Sequence, residues 1–145
     1  MTLKVAQSEV LPFRHPVAAL SLCGIYDFAA LRDAHLSHRQ IYDDFTTTAF
    51  GPEEDGGWER GNTKTGFSNE VEVVVLAHSK TDTLVDWEQT EVMRESLRAM
   101  GPQAKGAVME VKGDHKEIYE KGEEVARAVM ETLEYLQGLH RIDTV

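Results

Sequence analysis

The chain has 145 residues, 25 acidic against 15 basic, and a formal net charge of −10. That balance argues against nucleic-acid binding and against docking on anionic lipid, both of which need clustered Lys and Arg. With 41% hydrophobic and 28% charged residues, the composition is that of one globular domain with a modest core.

No apolar run approaches the ~20 residues that span a bilayer. Residues 1–10 hold one Lys and no long apolar stretch, so no signal peptide is expected. Cys23 is the lone cysteine, which excludes an internal disulfide and fits a reducing compartment. The expected location is the cytoplasm.

Three near-continuous apolar runs read as buried parallel strands: Val17 to Cys23, Val71 to Ala77 and Ala107 to Val111. After the first, Asp27 to Phe50 reads as helical in pieces, anchored by Ile41, Tyr42, Phe45 and Phe50. Gly51 to Asn69, rich in glycine, reads as loop. A helix is expected over Asp86 to Met100, with Asp86 and Gln89 as a capping box and Gly101-Pro102 as its stop. A last helix is expected from about Lys116 to Leu136, with Ile118, Gly122, Val125, Val129, Leu133 and Leu136 as its buried stripe. Strands alternating with helices imply a parallel α/β sheet.

In such sheets functional residues sit just beyond the carboxyl ends of strands. Two segments fall there: His78-Ser-Lys-Thr-Asp82 after the second strand and Gly113-Asp-His115 after the third. An Asp after one strand and a His after the next is the pairing that orients an imidazole for general-base work. The order acid, then histidine, is that of α/β-hydrolases. On position alone, Asp82 could equally be a turn residue, and His115 could simply open a helix capped by Asp114. His78, Asp82 and His115 match no compact zinc spacing, so no metal is expected.

The segments LCGIYDFAAL (22–31), FTTTAFG (45–51), LAHSKTDTLVDWEQT (76–90) and GDHKEIYEKGEEVAR (113–127) resemble fungal kynurenine formamidases over roughly residues 16–138. The resemblance implies an α/β-hydrolase that removes the formyl group from N-formylkynurenine, with Asp82 as triad acid and His115 as triad base. It implies no cofactor. That family also carries a histidine-glycine-glycine oxyanion loop and a G-x-S-x-G nucleophile elbow, and the 145 residues contain neither.

The expectation is therefore one partial α/β-hydrolase domain over residues 1–145, lacking the nucleophile-bearing N-terminal half and inactive alone. Its substrate, once completed, would be a small aryl formamide or ester. The alternatives are half of a split serine esterase, or a non-catalytic binding or regulatory module. Substitute nucleophiles are poor: Gly66-Phe-Ser68 is half an elbow, Ser79 would need His115 to turn away, and Cys23 reads as a small buried hydrophobe. The first strand would lack its neighbour, so marginal stability, self-association or dependence on a partner is expected.

Overall fold

The computed structural model describes residues 18–64, 71, 73–101, 105–138 and 143–144. Strand β1 (Ala18–Leu22) is followed by helix α1 (Phe28–Ala34), a 3₁₀ turn at Leu36–His38, α2 (Arg39–Phe50) and the short α3 (Gly57–Gly61). Then come β2 (Val73–His78), α4 (Glu88–Ala99), β3 (Lys105–Glu110), α5 (His115–Lys121), α6 (Glu123–Leu136) and the two-residue β4 (Asp143–Thr144). The sheet order is β1-β2-β3-β4. The first three strands are parallel, with Ala18 opposite Val73 and Val73 opposite Lys105; β4 adds an antiparallel edge.

The three expected strands are thus present and parallel, flanked by helices in a partial α/β-hydrolase arrangement. The central strand explains why. All six residues of β2 are buried, and alternate side chains go to opposite faces. Val74 and Leu76 pack with Met93 and Leu97 of α4. Val73, Val75 and Ala77 pack with Ile118 of α5 and Ala128 of α6. A strand covered on both sides needs no polar alternation, and that is how Val71 to Ala77 reads.

Four expectations are corrected. The glycine-rich stretch contains a helical turn, α3, whose Trp58 is buried and carries the Arg32 guanidinium 4.7 Å above its ring. The last helix is two helices: Gly122 takes a left-handed φ of 73° and ends α5. Restarting after Gly122 rotates the inward face of α6, so Ala128 and Thr132 are buried while Val129 and Leu133 are exposed. Ile41 and Phe45 are likewise exposed; within α1–α3 it is Phe28 that contacts Phe45 and Phe50.

The capping box at α4 is the fourth. Asp86 does accept from the Glu88 amide at 2.9 Å, but Gln89 does not return the bond. Its fully buried carboxamide reaches the turn after β1 instead. There it accepts from the amides of Tyr26 and Asp27 at 2.9 Å and donates to the Asp27 carbonyl at 3.0 Å. Pro102, Val17 and the Gly66–Ser68 segment lie outside the described residues. Among the described residues no helix is long and apolar enough to cross a membrane.

Candidate active site

The carboxyl ends of β1, β2 and β3 deliver Cys23, the 79–86 loop and the 111–114 turn to one place. Asp82 and His115 meet there. His115 Nδ1 donates to Asp82 Oδ2 at 2.8 Å, and the carboxylate is fully buried. The other oxygen, Oδ1, accepts from the Leu84 and Val85 amides at 2.9 and 2.8 Å. A carboxylate accepts only, so His115 carries its proton on Nδ1 when neutral. Its Nε2 has no protein partner among the described residues, and the ring is partly open to solvent.

Three further bonds stitch the two loops together. Asp114 Oδ1 accepts from both the amide and the hydroxyl of Thr83 at 2.7 Å, which holds the Asp114 carboxyl below the usual carboxylate range. Thr81 Oγ1 donates to the Gly113 carbonyl at 3.2 Å. Asp114 still caps α5, with the Glu117 carboxylate receiving the Asp114 amide at 3.4 Å in the return half of a capping box. His115 is therefore the first residue of a fixed helix. Tyr119, one turn on, lies 5.2 Å from the His115 ring and donates to the Leu22 carbonyl at 2.8 Å.

Beneath them His78 is fully buried, with both ring nitrogens engaged. Nε2 is 2.8 Å from the Val85 carbonyl, an acceptor only, so Nε2 carries the proton and donates. Nδ1 then accepts from the Thr90 hydroxyl at 2.6 Å. Burial pushes the His78 pKa below its ordinary value, against the opposing pull of the Val85 carbonyl and Asp82. His78 thus stays neutral and clamps the far end of the loop whose Val85 amide holds Asp82.

Cys23 has a left-handed φ of 46°, and its thiol lies beside Asp82. Burial and the neighbouring carboxylate push the thiol up to about 12. That is the reverse of an activated cysteine, whose pKa is lowered. Ser79 faces Thr81, its hydroxyl 3.0 Å from Thr81 Oγ1, and makes no bond to His115. Ligand atoms of Cys23, His78 and Asp82 come within 4.8 Å of one another. However, the donor set is already occupied: His78 Nε2 carries a proton, and Asp82 accepts from two amides and an imidazole. A cation would have to break the clamp to enter.

His115 opens onto a cleft of about 650 Å³, within the usual range for small-molecule sites. Its walls come from the turn after β1, from α2, from the acid loop and from α5. Tyr42 ties two of these walls together by donating to the Leu84 carbonyl at 2.8 Å. The sequence alone pointed to Asp82 and His115 but missed the roles of His78, Thr83, Gln89 and Tyr119. Thr83, Gln89 and Tyr119 act on partners far along the chain, and His78 bonds to Val85 and Thr90 across a loop whose path no local pattern signals.

No family model matches the chain, and no curated protein matches it. Among solved structures it is similar to an acylaminoacyl peptidase in complex with Z-Gly-Gly-Phe-chloromethyl ketone, an α/β-hydrolase, with a TM-score of 0.59 and 18% identity. The match covers 90% of this chain and 21% of that one, so the chain spans about a fifth of the peptidase's length. At that identity the likeness shows the fold: a partial α/β-hydrolase-like arrangement.

Proposed function

We propose that this chain is the acid–histidine portion of a serine-type acyl hydrolase, with Asp82 as the orienting acid and His115 as the general base. The carrying observation is the 2.8 Å bond from His115 Nδ1 to buried Asp82, with Nε2 left for a second partner at an open cleft. The motifs quoted above favour an aryl formamide, N-formylkynurenine, as substrate. The nucleophile belongs to a G-x-S-x-G elbow on another segment or chain, because neither Ser79 nor Cys23 has the geometry or acidity to serve.

In that reading the serine oxygen attacks the formyl carbon and its proton passes to His115 Nε2. Asp82 stabilises the resulting imidazolium. Collapse of the tetrahedral intermediate breaks the C–N bond, and the leaving arylamine takes the proton from His115. Water, deprotonated by the same imidazole, then hydrolyses the formyl ester to release formate. The chemistry requires no cofactor.

The test is hydrolysis of N-formylkynurenine by the chain alone and by the chain together with any fluorophosphonate-reactive polypeptide captured on it. The chain alone should show no turnover above His115→Ala. The combination should turn over, and H115A should cost it roughly 10⁴-fold or more. His115-dependent turnover by the isolated chain would overturn the external nucleophile. Turnover by the combination that ignores H115A would overturn the base assignment.

A further inference from the structure

Successive residues of a strand turn their backbone N–H and C=O groups to opposite neighbours. In β1 the Cys23 amide fixes the parity, because it donates to the Ala77 carbonyl at the end of β2 at 2.8 Å. Cys23, Ser21 and Ala19 therefore face β2, and Ala18, Leu20 and Leu22 turn their polar groups to the outer edge. Among the described residues no strand lies on that edge.

A side chain takes its last outward carbonyl. Tyr119 of α5 donates its hydroxyl to the Leu22 oxygen at 2.8 Å. A neighbouring strand would bring an amide nitrogen to the same oxygen at about 2.9 Å, so the phenol stands where that ladder bond would form. Burial, with the Cys23 thiol and the Asp82 carboxylate nearby, pushes the Tyr119 pKa above its ordinary value of 10. The hydroxyl thus keeps its proton at neutral pH and remains a donor. The same ring lies 5.2 Å from the His115 ring, tilted by 49°. One side chain therefore touches both the open edge and the candidate base.

We infer that Tyr119 is an autoinhibitory latch on the outer edge of β1. Its hydroxyl blocks strand pairing at Leu22, and its release frees the ring that lies against His115. The occupant held off is a second copy of this chain, because an open strand edge is complementary to itself in the antiparallel sense. Pairing about Leu20 sets Leu22 of each copy opposite Ala18 of the other, so both copies must give up a Tyr119 bond. The latch is a matter of edge geometry and goes beyond the acyl-transfer reading without resting on it.

The test is sedimentation equilibrium of the whole 145-residue chain as parent, as Tyr119→Phe, and as Tyr119→Phe with Leu20→Pro. Phenylalanine keeps the ring and removes the hydroxyl alone. Tyr119 is half exposed, so this variant leaves the core intact. Y119F should dimerise roughly tenfold more tightly than the parent, since each copy no longer surrenders a hydrogen bond. Adding Leu20→Pro, which removes an outward amide, should return the dimer to parental strength or weaker. In Y119F kept dilute and monomeric, the ring-proton chemical shifts of His115 should already move, because the neighbouring ring has lost its tether.

A Y119F dimer no tighter than the parent would overturn the latch. So would a tighter dimer indifferent to Leu20→Pro, which would place the association on another surface. His115 shifts that stay put in monomeric Y119F would overturn the link between the edge and the base.

Discussion

His78 is a buried base that the fold keeps uncharged, and this sets the sign of its effect on stability. Its folded pKa lies below the ordinary value of 6.5, so below that pH the unfolded chain binds a proton that the folded chain refuses. Stability from this group is therefore complete above about pH 7 and falls as pH drops through 6.5 toward the depressed folded value. Chemical denaturation at pH 7.5 and 5.5 should show the parent losing stability over that step, and His78→Gln should flatten the slope. An unchanged slope would mean the clamp does not depend on a neutral imidazole. At this scale the sequence was legible where chemistry sits at strand ends, as for Asp82 and His115. It was misleading at Gln89, whose spacing from Asp86 imitates a capping box while its carboxamide bonds to residues 62 and 63 positions away.

Among the elements, the break between α5 and α6 has one cause. Gly122 sits at φ 73° with open space where a side chain would go, so the obstacle to any other residue there is backbone strain and not crowding. Gly122→Ala should cost about 1–2 kcal/mol, lowering the thermal midpoint by a few degrees, with no loss of helical circular dichroism. A larger helical signal with unchanged stability would mean that α5 and α6 can fuse. The apolar periodicity ran through residues 118–136 without marking this turn, and so assigned Val129 and Leu133 to a face they do not occupy. Strand β4 escaped notice because two residues carry no periodicity. The three parallel strands were legible because burial on both faces leaves an unbroken apolar run.

For the whole molecule, β1 stands at the edge of the sheet among the described residues, with its outer backbone unpaired by any of them. An unpaired edge beside an apolar cleft favours pairing with another strand. Sedimentation of the chain alone should reveal concentration-dependent association, and Leu20→Pro, which removes an edge donor, should reduce it while leaving helical content unchanged. A monomer with a sharp, concentration-independent transition would count against this. Fold class was readable from the alternation of strands and helices. The cleft was not, because its four walls come from separated segments that only the closed sheet brings together.

The long excursion from Leu22 to Val73 has a consequence for how the molecule can vary. Strand pairing closes a loop of about 55 residues around it, and doubling such a loop costs only about 0.6 kcal/mol. The cleft wall on α2 belongs to this excursion. Asp82 and His115 instead abut strand ends, where a single inserted residue would displace a hydrogen bond. Length is therefore negotiable on the α2 side of the cleft and rigid at the acid–histidine pair. A lineage built on this arrangement could reshape that wall by trading insertions between β1 and β2, with the pair left untouched.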